Sequence, residues 1–268
     1  MEQVGILMSM MIDCLPWNRL HGGHSSNMSM QKLRNHAGIA IMRVGQICRI
    51  GFVRIPFGVL RGKQWLFTSS LPSCALGTYE QHIAVVLQTR LRKGAVFFDI
   101  GANVGYYTLF ASTCVGDSGK VVAFEPEPGN MQTLTEHIEI NGCTNVIPVQ
   151  KALSNTSGVA RFNGAAQYNS WCKLSDDGNI EVKCITLDAF IRESGILPNV
   201  LKMDIEGAEV QALRGADACL TEVRPEIILS IHDGLLDECQ GILSEYDYSI
   251  EQLSPDDLYC TPREGTPR

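Results

Sequence analysis

The sequence predicts an α/β protein whose mostly parallel sheet carries helices on both faces. From residue 94 onward, short apolar segments rich in β-branched and aromatic residues alternate with segments of helical pattern. Polar or glycine-containing turns separate these segments, and the 268 residues are enough for one sizeable core. Such alternation is typical of parallel sheets, because each connection between parallel strands has to cross the sheet, usually through a helix.

The predicted strands are short and apolar, and the predicted helices lie between them. In chain order the elements are strand 95–100, helix 104–113, strand 120–126, helix 128–142, strand 145–153, strands 158–162 and 180–187, strand 199–205, helix 208–216 and strand 225–232. Pro128 near the start of its helix and Gly142 past its end are typical of helix termini. Segments 246–253 and 256–261 are predicted to pair as a hairpin at the edge of the sheet.

Charge divides the chain into two parts. Residues 1–63 contain eight Lys or Arg and two acidic residues, whereas residues 64–268 contain 14 Lys or Arg and 27 acidic residues. We predict a basic, partly disordered N-terminal extension over residues 1–62, a catalytic domain over 63–262 and a tail over 263–268. The acidic body argues against nucleic acid as the main substrate, since neutralising phosphates requires basic surface.

Several basic residues of the N-terminal part stand among apolar ones. They are Arg43, Arg49, Arg54, Arg61 and Lys63. A segment of this kind can make a peripheral contact with a membrane surface. It can also pack on the domain as a cover with its arginines in water, and the sequence leaves both interpretations open.

The expected compartment is the cytoplasm. No apolar run reaches the roughly 18 residues of a membrane span, and residues 1–13 contain acids where a secretion signal has positive charge. The ten cysteines do not follow a zinc-binding spacing, and the nearest two, Cys172 and Cys184, are twelve residues apart. We therefore expect reduced thiols rather than disulfides.

A glycine-containing turn follows the strand at 95–100. The fingerprint of dinucleotide-binding proteins places glycines at positions i, i+2 and i+5. Counted from Gly101, these positions hold Asn103 and Tyr106, so the fingerprint fails twice. The glycines instead stand at i and i+4, Gly101 and Gly105, with Asp99 two residues before them. This spacing is typical of S-adenosylmethionine methyltransferases, in which the acid anchors the methionine end or the turn and glycines allow close backbone approach.

Two further positions fit the same ligand. Glu125 ends the next strand, 26 residues after Asp99, where a carboxylate can accept hydrogen bonds from both ribose hydroxyls. A nicotinamide-dependent enzyme would also place an acid there, so Glu125 alone does not distinguish the two cofactors. Ala152 and its neighbours follow the third strand, where an adenine ring would lie, although they also fit an ordinary loop.

A second polar cluster ends the strand at 199–205. Lys202, Asp204 and Glu206 stand at alternate positions, so we predict that they project on one face into a reaction cleft. A lysine and carboxylate network that supports the sheet edge is the alternative. Candidate bases for deprotonating an acceptor are His232, whose ordinary pKa near 6.5 suits neutral pH, and Asp204 or Glu206. In a variant mechanism, Asp204 and Asp233 would hold Mg²⁺ against the hydroxyls of the acceptor.

Taken together, these segments resemble the FkbM family of methyltransferases. The matching segments are LGTYE (76–80), VFFDIGANVGYYT (96–108), VVAFEPEPGN (121–130), ITLDAF (185–190), LKMDIEGAEVQALRGA (201–216) and RPEIILSIH (224–232). The resemblance implies a class I methyltransferase fold, S-adenosylmethionine as cofactor, and O-methylation of a hydroxyl on a sugar, glycolipid or natural product. A small-molecule or glycan hydroxyl is thus the expected acceptor.

The resemblance also implies roles for particular residues. The cofactor motif of the family corresponds to Asp99, Gly101, Asn103, Gly105 and Glu125, and a later motif to Asp204 and Glu206. Glu80 matches an N-terminal motif that either closes over the cofactor or caps the domain. Ser230 departs from the family, many of whose members have an acid near this strand end. A nicotinamide-dependent oxidoreductase and a non-catalytic binding module with the same fold remain the alternative functions.

Overall fold

The computed structural model describes residues 51–67, 69–163, 173–174 and 180–263. It divides into two compact units, residues 1–79 and residues 80–268. Most of the predicted N-terminal extension and nearly all of the predicted tail lie outside the described residues, and so do Arg43, Arg49 and Cys172. The predicted domain boundary at residue 63 stays a prediction.

The described part of the first unit is small. Strand β1 (Phe52–Arg54) pairs antiparallel with strand β2 (Gln64–Leu66), and helix α1 (Pro72–Leu76) follows. A proline at the start of α1 and Gly77 just past its end delimit this short helix, because proline suits the first helical turn and glycine the left-handed residue that closes it.

The second unit contains the remaining elements. In chain order they are α2 (Gln81–Arg90), β3 (Val96–Ile100), α3 (Tyr106–Val115), β4 (Lys120–Phe124), α4 (Pro128–Ile140), β5 (Val146–Val149), β6 (Ala152–Leu153), β7 (Gly158–Asn163), β8 (Lys173–Leu174), β9 (Ile180–Ile185), α5 (Leu187–Ser194), β10 (Val200–Met203), α6 (Glu209–Arg214), a π-helical turn (Cys219–Val223), β11 (Glu226–Ser230), α7 (Leu236–Glu245), β12 (Tyr248–Gln252) and β13 (Asp257–Pro262).

Within the described part of the chain, the main sheet has seven strands in the order β12, β13, β11, β10, β3, β4, β5. The five strands from β11 to β5 are parallel, whereas β13 runs antiparallel to β11 and pairs with β12 as a hairpin. The predicted α/β class, the mostly parallel sheet and the C-terminal edge hairpin are therefore confirmed.

Helices cover both faces of this sheet. Phe98 of β3 and Phe124 of β4 contact Phe190 of α5, with ring centroids 5.7 and 4.8 Å apart, so α5 packs on one face. The next residue of β3, Asp99, points to the opposite face and accepts a hydrogen bond from Thr108 of α3. Since side chains on both faces are buried, β3 and β4 read as nearly continuous apolar segments.

The predicted strand at 145–153 is in fact two strands. The chain turns after β5, where the amide of Lys151 donates to the carbonyl of Val149, and β6 then joins a second sheet with the order β6, β9, β7, β8. Pro148 lies in β5 and has no amide hydrogen to donate. It is tolerated because β5 is the edge strand of the main sheet.

The seven cysteines among the described residues are all unbonded. None of the helices in the described part of the chain combines the length and hydrophobicity that a membrane span needs.

Candidate functional site

The turn after β3 is shaped by contacts within the protein. Gly101 has a φ of +82°, and a β-carbon there would overlap the backbone oxygen of Asp204. Gly105, just before α3, has a φ of +97°, and its β-carbon would lie 2.5 Å from the Leu134 side chain. Asn103 also adopts a positive φ, which asparagine tolerates better than most residues, and its side chain accepts from the amide of Val104. Packing against the backbone of the protein itself thus requires Gly101, whereas at Gly105 the β-carbon would meet the end of a flexible side chain.

Asp99 is the buried acid of this turn, with only 1% of its surface exposed. Its Oδ2 accepts a hydrogen bond from the Thr108 hydroxyl at 2.5 Å, whereas Oδ1 is buried without a hydrogen-bond partner among the described residues. Burial raises the pKa of Asp99, and the positive charge of Lys202 opposes this effect. A buried carboxylate oxygen without a partner is costly, so it fits a ligand that brings a donor such as an ammonium group.

Glu125 lies at the end of β4 and connects neighbouring turns. Its Oε2 accepts from the amide of Asn103 at 2.8 Å, and its Oε1 accepts from the amide of Glu127 at 2.9 Å and from Asn130 at 3.4 Å. Burial raises the pKa of Glu125 to about 7, although these hydrogen bonds act to lower it. Oε2 retains capacity for one further donor. Acceptance from both ribose hydroxyls stays a prediction.

Cofactor affinity is expected to depend on pH through Glu125. Only the ionised carboxylate accepts hydrogen bonds at both oxygens, so with a pKa of about 7 the free protein must first lose a proton at lower pH. The dissociation constant of S-adenosylhomocysteine should be constant above about pH 8 and rise toward tenfold per pH unit below about pH 6. Calorimetric titrations across this pH range measure the dissociation constant.

Glu125→Ala should bind more weakly at every pH and lose this dependence. The buried His137 does not account for this pH dependence, because burial lowers its pKa to about 4. The same pH dependence in Glu125→Ala would contradict the assignment.

Ala152 lies in the smaller sheet. It pairs in register with Cys184 of β9 and is buried in a cluster with Val182 and Cys184. This packing explains a small residue at position 152, and contact with an adenine ring stays a prediction.

Lys202 joins the turn after β3 to the second cluster. It is 1% exposed, lies opposite Asp99 in the register of β10 and β3, and its Nζ is 3.0 Å from Asp204 Oδ2. Burial acts to lower the pKa of Lys202, but the charges of Asp204 and Asp99 outweigh it and raise the pKa. Its ammonium also lies 4.7 Å from the ring centroid of Tyr107, whose hydroxyl donates to Glu80 at 2.7 Å. This hydrogen bond connects Glu80, which precedes α2, to α3.

His232 follows β11 and brings the second cluster together. Its Nε2 lies 3.7 Å from Asp204 Oδ1 and 3.7 Å from Glu206 Oε2. Its Nδ1 lies 3.2 Å from Oε1 of Glu209, a fully buried residue at the start of α6. Sequence analysis missed Glu209, although it stands within the LKMDIEGAE segment that singled out Asp204 and Glu206.

These carboxylates change the protonation of His232. The hydrogen bond with Glu209 raises the pKa of His232 to about 9, aided by the charges of Asp204 and Glu206 and opposed by burial. His232 therefore carries a proton at neutral pH in the ligand-free protein, which differs from the expectation based on its ordinary pKa near 6.5.

Three of the predicted site residues have suitable atoms for a metal ion. Among the described residues, the His, Cys and carboxylate ligand atoms that lie within 4.8 Å of one another belong to Asp204, Glu206 and His232. Asp233 Oδ2 lies 2.7 Å from where a β-carbon of Gly207 would stand, and its pairing with Asp204 around Mg²⁺ stays a prediction.

Ser230, which stands where the family resemblance implies an acid, contacts an acid of the neighbouring strand. Ser230 of β11 pairs in register with Asp257 of β13, and its hydroxyl donates to Asp257 Oδ1 at 2.7 Å. His82 of α2 lies 2.7 Å from the other oxygen of Asp257. The neighbouring antiparallel strand therefore supplies an acid at this strand end.

Comparison with known proteins identifies similar sequences. A family model described as the methyltransferase FkbM domain matches residues 99–250, which include both polar clusters from Asp99 to His232. The hexuronic acid methyltransferase AglP of Haloferax volcanii is 34% identical over 176 residues, covering 64% of this chain and 71% of that protein. The 31-O-demethyl-FK506 methyltransferase FkbM of Streptomyces tacrolimicus is 28% identical over 198 residues, covering 60% of this chain and 75% of that protein.

Solved structures are also similar. The crystal structure of a methyltransferase FkbM from Methylobacillus flagellatus KT has a TM-score of 0.47 and 20% sequence identity, covering 70% of this chain and 52% of that chain.

Proposed function

We propose, since the chain belongs to the FkbM family of methyltransferases, that it methylates a hydroxyl of a sugar, glycolipid or natural product. The chain is an S-adenosylmethionine-dependent methyltransferase with the α/β fold of class I. The acceptor hydroxyl and the roles of individual residues are the proposed part.

One observation carries the proposal: the predicted cofactor turn touches the second polar cluster. Gly101 lies so close to the backbone of Asp204 that a β-carbon would not fit between them. Both segments stand at the carboxyl ends of adjacent parallel strands, β3 and β10, where open α/β sheets bind their ligands. A methyl donor on the first segment and an acceptor on the second would therefore lie side by side.

On the donor side, the unpartnered Oδ1 of Asp99 would accept from the ammonium of the cofactor, and Glu125 from its ribose. The cofactor supplies a methyl group on a sulfonium, which an oxygen attacks in line. Most of what the protein contributes is the placement of the two reactants and the exclusion of water.

On the acceptor side, Asp204 and Glu206 would accept hydrogen bonds from acceptor hydroxyls and take up the proton that the attacking oxygen loses. Protonated His232 would place a positive charge 3.7 Å from both carboxylates. Among the relatives, AglP is named for a hexuronic acid and the Streptomyces protein for an O-demethylated acceptor. Carboxylates that face an acceptor suit the hydroxyl groups of such molecules.

The first test is calorimetric titration of the protein with S-adenosylhomocysteine, with NAD as the control. We expect micromolar binding of the first and none of the second. Transfer of a labelled methyl group from S-adenosylmethionine should then be measured on hexuronic acids, neutral sugars and hydroxylated lipids. Asp204→Asn should abolish most of the transfer, and the exposed carboxylate change Glu238→Gln should not affect it. Binding of NAD alone would favour an oxidoreductase, and cofactor binding without transfer to any acceptor a binding module.

A further inference from the structure

We infer that Asp204, Glu206 and His232 form a binding site for one divalent transition-metal ion. The ligand atoms are Asp204 Oδ1, Glu206 Oε2 and His232 Nε2. The site itself stands on the geometry of these side chains, whereas its role in activating an acceptor hydroxyl rests on the proposed function.

The separations between the ligand atoms suit a shared ion. His232 Nε2 lies 3.7 Å from each of the two carboxylate oxygens, and all three atoms lie within 4.8 Å of one another. Two ligands bonded at about 2.1 Å to one tetrahedral ion stand about 3.4 Å apart. Small side-chain rotations would therefore bring the three atoms into bonding distance.

The second ring nitrogen of His232 contacts a carboxylate, as it does in most metal-binding histidines. Its Nδ1 contacts Glu209 Oε1 at 3.2 Å, which directs Nε2 toward the two carboxylates. Metal-bound histidines usually place their second ring nitrogen on a carboxylate or carbonyl in this way. The amides of Ile205 and Gly207 donate to Oε1 of the same Glu209, at 3.3 and 3.1 Å, and fix its position.

The buried Glu209 favours a positive charge on its neighbour His232. It is fully buried, and its Oε2 has no hydrogen-bond partner among the described residues. The carboxylates of Asp204, Glu206 and Glu209 thus surround His232. The nearby Lys202 ammonium contacts Asp204 Oδ2, whereas the proposed ligand atom of Asp204 is Oδ1. A buried carboxylate behind an imidazole is costly unless positive charge balances it. The proton on His232 supplies that charge in the ligand-free protein, and a divalent ion on Nε2 would supply it in place of the proton.

The side chains that carry the ligand atoms are partly exposed, whereas Glu206 Oε2 itself is buried. The side chains of Asp204, Glu206 and His232 are 23%, 18% and 28% exposed. Two oxygens and one imidazole nitrogen favour Mn²⁺ or Zn²⁺ over Mg²⁺, which prefers oxygen ligands alone. Three protein ligands would leave coordination positions for water or for the hydroxyls of an acceptor, whose pKa the ion would lower.

Metal binding can be measured without cofactor or acceptor. The full chain, treated with a chelator and exchanged into chelator-free buffer, would be titrated with Mn²⁺ and followed by electron paramagnetic resonance. Calorimetry with Zn²⁺ and Mg²⁺ would give their affinities. We expect one Mn²⁺ per chain, bound more tightly than Mg²⁺. Asp204→Asn, Glu206→Gln and His232→Gln should each weaken Mn²⁺ binding at least tenfold, and Glu209→Gln by about 10- to 100-fold through the orientation of His232. Glu238→Gln, an exposed carboxylate change, should bind as the unaltered protein does.

Absence of saturable Mn²⁺ and Zn²⁺ binding, or equal binding by His232→Gln and the unaltered protein, would overturn the inference. Titration of every variant with S-adenosylhomocysteine separates the possible failures. Retained cofactor binding in a variant that has lost Mn²⁺ shows that it is folded and that the metal site is specific. If the unaltered protein does not bind S-adenosylhomocysteine, that result contradicts the proposed function, whereas the result for metal binding stands on its own.

Discussion

Asp99→Asn is expected to weaken S-adenosylhomocysteine binding by at least tenfold while the protein remains folded. The substitution preserves the shape of the side chain and an oxygen for the Thr108 hydroxyl. It removes the negative charge and places an amide hydrogen where the unpartnered Oδ1 would meet the ammonium of the ligand. Hydrogen bonds to charged groups contribute about 1.5 to 3 kcal/mol, and about 1.4 kcal/mol corresponds to a factor of ten.

Calorimetry at pH 8 is the measurement, because Glu125, with its pKa of about 7, is then mostly ionised. Asp117→Asn serves as the matched control, since Asp117 is an exposed aspartate near the end of α3. Equal affinities of Asp99→Asn and the control would exclude Asp99 as the anchor of the cofactor. Thermal unfolding of both variants would verify that the fold is intact.

Gly101→Ala is expected to lower the unfolding temperature by about 6 to 12 °C. The left-handed backbone of a residue other than glycine costs about 1 to 2 kcal/mol. The new β-carbon would also overlap the backbone oxygen of Asp204, which cannot move without displacing the turn after β10. Together these effects should exceed about 3 kcal/mol, and each kcal/mol lowers the midpoint by about 2 to 4 °C in a domain of this size.

Gly142→Ala separates the two contributions. Gly142 has a φ of +60°, and a β-carbon there would meet nothing within 4 Å, so this variant tests backbone strain alone. Gly105→Ala should be intermediate, since its β-carbon would meet the end of a flexible leucine side chain. Scanning calorimetry of the three variants gives the order. A loss of stability in Gly101→Ala no larger than that in Gly142→Ala would contradict the packing explanation.

The elements that were predictable have strong local signals. The strands β3, β4 and β10 are short apolar segments, and α4 begins at a proline and ends before a glycine. The helix α2 was missed, although Ile83 and Leu87, its fully buried residues, stand one helical turn apart. Residues 83–87 form a continuous apolar run, in which the exposed Val85 hides the helical period. The turn between β5 and β6 was also missed, because only Gln150 and Lys151 separate the two apolar segments and no glycine marks the passage from one sheet to the other.

The sequence by itself determined the α/β class, the edge hairpin, the turn that contains Gly101 and the polar residues from which a site can be built. These features depend on local periodicity, on turn chemistry and on residue type. Only the tertiary structure decided which of these residues meet. It placed Lys202 opposite Asp99, Asp257 beside Ser230, and the buried Glu209 behind His232. Protonation was decided in the same way, because the pKa values of Glu125 and His232 depend on burial and on charges that lie close only after folding.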